Sequence, residues 1–234
     1  MPIGHVLGGV GQIDAVLGTA AGGAALPWWN PDGATPAATC GAWQAKGAAS
    51  LAASYLNLAA LGNANIDPAV VGGVAPTWAT GTGWAFNGLT QYLKSGFIPQ
   101  NDQSQSVLVQ FSGVTNTGCL CLSQTTVGPA THYFGLRPNS PSVRYYNGSF
   151  FTQAPSLLTG NSGIAGNAGY RNGLPDAVMG GDVTVPIRDV WIGCANQNGS
   201  AGLFIAANIQ AIAVYDVTLT APQVLARATA MAAL

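Results

Sequence analysis

The sequence DVWIGCANQNGSAGLFIAANIQAIAVYDVTLTAPQVLAR, residues 189–227, decides the fold of this chain. Residues 190–193 predict a short buried strand, a polar turn follows over residues 196–199, and residues 209–215 predict a second strand. Alternation divides the side chains of this second strand between two faces: Ile209, Ala211, Ala213 and Tyr215 on one, and Gln210, Ile212 and Val214 on the other. Because both sets are largely apolar, we expect the strand to be covered on both sides, as in a sandwich of two sheets.

A short helix is predicted after that strand. Thr220 is a suitable N-cap, and Pro222 falls in the first turn, where a missing N–H leaves no intrahelical bond unmade. Val224, Leu225 and Ala228 would form the apolar side of this C-terminal helix.

Short strands and turn residues continue through the rest of the chain. Its 234 residues include 32 Gly and 14 Pro, which indicates many turns and few long helices. Alternating patterns predict two hairpins, one between residues 106–111 and 118–123 and the other between residues 132–137 and 142–146. Residues 146–150 also give a hairpin signal, and residues 48–61 fit either a helix or a strand. The fold class predicted is all-β, a two-sheet antiparallel jelly-roll sandwich with an N-terminal arm and a short C-terminal helix.

The charge content excludes several classes of partner. Charged residues make up 6% of the chain, far below the roughly 25% of ordinary domains, and the eight acids are all Asp. The net charge of -1 predicts no binding of nucleic acid or anionic lipid, and no run of residues is apolar enough for a membrane span. Two interpretations of the low charge stand: a polar surface of Asn, Gln, Ser and Thr, or a protein that lives inside a larger assembly.

The four cysteines are interpreted as buried free thiols. Cys119 and Cys121 are two residues apart on a predicted strand, so they should share a face and cannot easily bridge each other. Cys40 and Cys194 lie far away in the sequence, and no spacing typical of a zinc site occurs.

Residues 1–37 are predicted to form an apolar arm, and residues 38–234 the sandwich. The arm carries an apolar stripe at helical spacing that includes Ile13 and Leu17, but its glycines would prevent a stable isolated helix. It should order only by docking on its own sandwich, a sister subunit or a scaffold. Trp28 and Trp29 are the expected assembly anchors, the alternative being that they cover the edge of the sandwich. The arm lacks Lys and Arg, so we expect no ordinary export signal.

Three motifs resemble the LamG-like jelly rolls of the concanavalin A-like lectin/glucanase superfamily. They are the segment from Trp191-Ile192-Gly193 through Tyr215-Asp216 to Gln223-Val224, the segment from Trp84 to Leu93 around Asn87-Gly88, and the strand that carries Tyr170 and turns back at Asn172-Gly173. The resemblance covers about residues 40–232 and is closest to domains found in phage structural proteins. It implies a jelly-roll fold, with any sugar or calcium held at one end of the sandwich.

The sequence shows no pattern typical of catalysis. The catalytic members of the superfamily carry closely spaced acids on one strand, whereas this chain has no Glu and no alternating pair of Asp. His132 lies among aromatic residues and is expected to be structural, and His5 lies in the arm. We therefore expect that the protein is not an enzyme.

Ligand sites are predicted only from the resemblance. Calcium could use Asp102, Asp176 and Asp182, but with so few carboxylates we expect no cofactor and at most weak calcium binding. Glycan contacts are assigned to Tyr145, Tyr146 and Asn147 and to the loop residues Asn196 and Asn198, although each residue taken singly fits a core or turn role better.

The sequence is compatible with three functions. The preferred one is a non-enzymatic structural protein of a phage particle, such as a capsid decoration, fibre or tail appendage, that contacts other particle proteins, forms a homo-oligomer and touches surface glycans. Its location would then be the virion. The alternative is a free or secreted, hence extracellular, carbohydrate-binding lectin, and the third is a glycoside hydrolase.

Overall fold

A computed structural model describes residues 26–33, 41–59, 65–100, 104–139, 142–153, 155–180 and 184–234. The first strands of these ranges are β1 Gly41–Gln44, β2 Gly73–Val74, β3 Thr77–Ala79, β4 Gly83–Asn87, β5 Tyr92–Lys94, β6 Ser106–Ser112, β7 Cys121–Val127 and β8 Ala130–Arg137. The remaining strands are β9 Val143–Gln153, β10 Gly160–Ala165, β11 Ala168–Arg171, β12 Leu174–Val178, β13 Trp191–Ile192, β14 Ala195–Gln197, β15 Ser200–Gly202 and β16 Ala206–Tyr215. The helices are α1 Leu51–Ser54, α2 Pro68–Val71 and α3 Ala221–Ala232.

The strands form two sheets, as predicted. Sheet A has the order β12-β11-β10-β6-β16-β4-β3, with β1 also paired to β16. Sheet B contains the path β15-β14-β7-β13-β5-β2, and β8 and β9 extend it from the other edge of β7. The pairs are antiparallel except for β14 with β7, which run parallel. The all-β two-sheet sandwich with a short C-terminal helix is therefore confirmed.

The main core fills the space between the sheets. It is built from fully buried side chains of both, among them Trp84, Val109, Phe134, Tyr145 and Ile212. A second cluster lies on the outer face of sheet A, where Leu108, Ala213 and Tyr215 pack under Val224 and Met231 of α3 and under Trp28. A third and smaller cluster lies on sheet B and consists of Cys119, Leu122, Tyr146 and Ala195, with Tyr133 against it.

A β-bulge corrects the predicted faces of β16. Ile209 is paired with Phe111 and Ala211 with Gln110, so Gln210 is the extra residue. One extra residue shifts the alternation, and Ile209 therefore joins Ile212 and Val214 in the main core, whereas Ala211 and Ala213 face α3. The prediction that both faces are covered is confirmed, but the prediction that Ile209 and Ala211 share a face is wrong.

The predicted hairpins have mixed outcomes. The pairing of β8 with β9 and the turn at Asn172-Gly173 between β11 and β12 are confirmed, and both turn residues have positive φ. The hairpin between residues 106–111 and 118–123 is wrong, because β6 pairs with β10 and β16 while β7 belongs to the other sheet. The turn at residues 146–150 is also wrong, since β9 runs through it without interruption.

The helices are short apart from α3. Thr220 caps α3, and its backbone N–H donates to the Oε1 of Gln223 at 2.9 Å, as in a capping box. Val224 and Ala228 are buried, but Leu225 is 43% exposed and does not belong to the apolar side. Residues 48–61, whose sequence fits either a helix or a strand, contain the one-turn helix α1. Among the described residues, no helix has the length and apolar character needed to cross a membrane.

Candidate functional site

A row of side chains crosses sheet B on its outer face. The directly opposed pairs are Lys94 with Trp191, Trp191 with Leu122, Leu122 with Gly135, and Gly135 with Tyr146. Opposed residues of neighbouring strands point to the same face, so this row lies on one face from β5 to β9. Leu122 and Tyr146 belong to the small cluster that is separate from the main core, so this face is the outer one.

Aromatic rings occupy both ends of this face. At one end the ring of Tyr92 stacks on that of Trp191, with centroids 4.7 Å apart. At the other end the ring of Tyr146 lies 5.2 Å from that of Tyr133 and 5.8 Å from that of Phe150. Phe150 is 53% exposed, so part of this aromatic surface is open to solvent.

Cations accompany the aromatic rings. The Nζ of Lys94 lies 5.1 Å from the centroid of the Trp191 ring, and the guanidinium of Arg144 lies 5.6 Å from that of Phe150. Arg137 is directly opposed to Arg144, and its Nε donates to the carbonyl oxygen of Thr117 at 2.6 Å. Arg137 and Arg144 therefore place two guanidinium groups on the same face as Tyr146 and Phe150. We call Tyr92, Lys94, Tyr133, Arg137, Arg144, Tyr146, Phe150 and Trp191 the aromatic–cationic face.

Asp189 orients the indole of this face. Its Oδ2 accepts a hydrogen bond from the Nε1 of Trp191 at 3.0 Å, and its Oδ1 accepts one from the Nδ2 of Asn196 at 3.0 Å. Burial raises the pKa of the Asp189 carboxyl above its usual range, and the bond from Trp191 acts in the opposite sense. Asp189 therefore holds Trp191 in place under Lys94.

A second polar cluster lies beside an open cleft of about 430 Å³. The hydroxyl of Tyr145 donates to the Oδ2 of Asp176 at 2.7 Å, and Arg171 contacts the same oxygen at 3.1 Å. Asp176 and Phe151 line the cleft. Tyr145 is fully buried, and burial raises the pKa of its phenol, with Asp176 adding to the effect. Asp176 is therefore the carboxylate that this cleft presents to a ligand, held by Tyr145 and Arg171.

The structure separates the residues predicted to contact glycan. Tyr146 lies on the aromatic–cationic face, but Tyr145 and Asn147, its neighbours in β9, point into the sandwich, and the Nδ2 of Asn147 donates to the carbonyl of Gly166 at 2.6 Å. Asn196 is buried against Asp189, and Asn198 is an exposed turn residue whose Oδ1 accepts from the N–H of Thr126. Of the five, only Tyr146 is on the face.

Residues missed from the sequence complete that face. Lys94 and Trp191 come from short strands whose pairing is non-local, so no local pattern could reveal them. Arg144 and Tyr146 alternate on β9, and Tyr133 and Arg137 alternate on β8, which was a usable signal for one shared face.

The remaining predicted residues lie elsewhere. Trp28 is buried on the outer face of sheet A, and the carbonyl of Trp29 accepts a hydrogen bond from the hydroxyl of Tyr215 at 2.9 Å. Their role as assembly anchors stays a prediction, and Ile13 and Leu17 lie outside the described residues. Asp102 and Asp182, proposed with Asp176 for calcium, also lie outside, and no group of metal-binding side chains occurs within the ranges that the structure describes.

The described cysteines are free and buried, as predicted. They are Cys119, Cys121 and Cys194, whereas Cys40 lies outside the described residues. Cys119 and Cys121 do not share a face, because β7 begins only at Cys121; Cys121 belongs to the main core and Cys119 to the cluster on sheet B. Burial raises the pKa of the Cys119 thiol to about 12, against the opposing effect of Arg137 and Arg144.

Comparison with known proteins gives similarity of fold alone. No protein-family model matches the chain, and no curated protein sequence is significantly similar to it. The solved structure of Trypanosoma rangeli sialidase with 2,3-difluorosialic acid, a covalent intermediate, matches with a TM-score of 0.55 and 17% identity over 81% of this chain. The complex of the same sialidase with sialic acid matches with a TM-score of 0.53 and 15% identity over 80% of the chain. The chain spans about a third of the length of these sialidases, 32% in both cases.

These matches overturn two predictions made from the sequence. The prediction of a non-enzymatic structural protein of a phage particle is wrong, because the similar structures are sialidases, which are glycoside hydrolases, and none of those named is a phage protein. The prediction that the protein is not an enzyme is contradicted by the same finding. What the chain shares with these sialidases is the fold of a two-sheet β-sandwich over about a third of their length.

Proposed function

We propose that the protein recognises glycans that bear a carboxylate, such as sialic acid, and binds them on the aromatic–cationic face of sheet B. The observation that carries the proposal is the opposed pair of Arg137 and Arg144 beside Tyr146 and Phe150. Aromatic rings bind the apolar faces of sugars, and Arg presents paired N–H donors that match a carboxylate.

Two further points support a sugar ligand. Gln124 and Gln197 lie on the same side of sheet B, with the Nε2 of Gln197 donating to the Oε1 of Gln124 at 3.3 Å, and such amides suit sugar hydroxyls. The resemblance of residues 40–232 to LamG-like, concanavalin A-like jelly rolls points to the same class, as does the sialic acid complex of the similar sialidase. We propose that the sandwich has this jelly-roll topology.

Calorimetric titration with 3′-sialyllactose and with lactose tests the proposal, because the two ligands differ only in the sialic acid. We expect 3′-sialyllactose to bind at least about tenfold more tightly, since hydrogen bonds to charged groups contribute about 1.5–3 kcal/mol each. The double variant Arg137→Gln/Arg144→Gln should lose this preference. As a control, Lys46→Gln removes one positive charge from the turn after β1, away from this face, and should leave binding unchanged. Equal affinity for the two ligands, or an unaffected double variant, would contradict the proposal.

Hydrolysis of the same glycans is the second candidate, favoured by the cluster of Tyr145, Arg171 and Asp176 at its cleft. Asp176 is the carboxylate at this cleft that could orient an attacking water, and the hydroxyl of Tyr145 and Arg171 both contact it. Release of free sialic acid from 3′-sialyllactose, measured in the same samples, distinguishes the two candidates. Release that is lost in Asp176→Asn would assign hydrolysis, whereas binding without release would leave recognition as the function.

A further inference from the structure

A second cleft lies on the opposite side of the sandwich, between α3 and the strands β6 and β10. Its volume is about 320 Å³, near the lower end of the roughly 300–1,000 Å³ of small-molecule sites. Gln110, Asn161 and Asn172 from sheet A and Thr229 and Ala232 from α3 contribute to its walls. No charged side chain is among the described residues that line it.

Two amide oxygens of this cleft have no hydrogen-bond partner. Gln110 and Asn161 are directly opposed on β6 and β10, their side chains are 8% and 2% exposed, and Oε1 of Gln110 and Oδ1 of Asn161 are both unsatisfied. The Nδ2 of Asn161 donates to the Sδ of Met231 at 3.4 Å, which leaves its oxygen as the group without a partner. A buried acceptor that makes no hydrogen bond costs about 1–3 kcal/mol, so two side by side require an explanation.

The other polar groups of the cleft limit the chemistry of a ligand that could donate hydrogen bonds to these two oxygens. The hydroxyl of Thr229 donates to the carbonyl of Leu225 at 2.9 Å, so its oxygen can accept but not donate to a ligand. The Oδ1 of Asn172 accepts from the N–H of Asn161 at 2.9 Å, so its Nδ2 is the group that could donate. The cleft therefore presents three acceptor oxygens, those of Gln110, Asn161 and Thr229, and the side-chain amide of Asn172 as a donor. Its described lining lacks the cation that a carboxylate would need.

We propose that this cleft binds a neutral polyhydroxylated compound of about one sugar ring. Hydroxyl groups both donate and accept, so one ring could donate to Gln110 Oε1 and Asn161 Oδ1 and accept from the amide of Asn172. A carboxylated sugar would gain no cation, and an ammonium ion would find no carboxylate. The site goes beyond the function proposed above, because it lies on sheet A and shares no residue with the aromatic–cationic face.

The probe for this site is methyl β-D-galactopyranoside, added to the full chain and followed by ligand-observed NMR and by a crystal structure at saturating concentration. Gln110→Met removes the amide at nearly constant length. Because its oxygen has no partner in the free protein, this variant should keep or raise the Tm while losing at least about tenfold in affinity. Ala232→Trp should close the mouth of the cleft and abolish binding. Gln100→Met, at an exposed position, is the matched control and should bind normally.

Two results would overturn the proposal. One is a probe that binds Gln110→Met and Ala232→Trp as well as it binds the unaltered protein. The other is a crystal structure in which only water occupies the cleft at saturating probe, because water would then be the partner of the two oxygens. Neither result depends on sialic acid or on Arg137 and Arg144, so the two proposals fail independently.

Discussion

A single buried arginine ties the N-terminal part of the described chain to α3. The Nη1 and Nη2 of Arg227 each lie 3.2 Å from an oxygen of Asp32, and Nη1 also donates to the carbonyl of Gln223 at 3.1 Å. Its guanidinium lies 5.4 Å from the ring centroid of Tyr215, and its side chain is fully buried. A guanidinium that is removed from water is costly unless it is paired, and Asp32 supplies the carboxylate that compensates its charge.

Asp32→Ala should therefore destabilise the protein more than loss of a surface carboxylate. Removal of one partner from a buried pair costs about 3–5 kcal/mol, and we expect the lower end because the Asp32 side chain is 26% exposed. Urea unfolding followed by tryptophan fluorescence measures the change in the free energy of unfolding. Asp216→Ala, which removes an exposed carboxylate after β16, should change it by less than about 0.5 kcal/mol. Equal effects of the two substitutions would show that Arg227 does not need Asp32.

At the scale of the element, the extra residue Gln210 allows β16 to pair first with β4 and then with β1. The bulge at Gln210 lies where the strand passes from pairing with β4 to pairing with β1. The carbonyl of Gln210 accepts hydrogen bonds from the N–H groups of Ala45 and Lys46, at 2.9 and 3.0 Å, so the unpaired residue anchors the end of β1. The extra residue therefore keeps apolar side chains on both faces of the strand and also holds β1.

Deletion of Gln210 should be tolerated, whereas deletion of Ala213 should not. Without Gln210, Ile209 and Ala211 would follow regular alternation and keep their faces, and the loss would be two backbone hydrogen bonds, about 2 kcal/mol. Without Ala213, the side chains on one side of the deletion would exchange faces. Circular dichroism and thermal unfolding should show a folded protein in the first case and an unfolded one in the second. A folded Ala213 deletion would contradict this account of the register.

The sequence predicts correctly those features that depend on neighbouring residues, and it misses those that depend on pairing between distant strands. The turn at Asn172-Gly173 and the cap at Thr220 depend on neighbouring residues, and both are confirmed. The wrong hairpin after β6 arose because β7 is close in sequence but pairs in the other sheet, which only the packing decides. Pairing that is distant in sequence also assembles the aromatic–cationic face, so Tyr146 was recognised while Lys94 and Trp191 were not.

At the scale of the whole molecule, the described residues include several buried thiols and phenols that lose their protons only at high pH. Burial raises the pKa of the thiol of Cys119 to about 12, and it also raises the pKa values of the Cys121 and Cys194 thiols. The phenols of Tyr145 and Tyr215 are shifted in the same direction. With 6% charged residues and two His, the chain has few other groups that could make its stability depend on pH.

The stability of the protein should therefore be nearly constant from about pH 6 to pH 8 and fall above pH 9. A thiol in the unfolded chain ionises from its ordinary value of 9.0, whereas in the folded protein Cys119 holds its proton up to about 12. Between these values unfolding releases a proton, so the free energy of unfolding falls as the pH rises, by about 1.4 kcal/mol per buried thiol at pH 10. Thermal unfolding from pH 6 to pH 10.5 measures the loss, and Cys194→Ala should reduce its slope. A Tm that stays constant to pH 10.5 would show that these thiols ionise equally in both states.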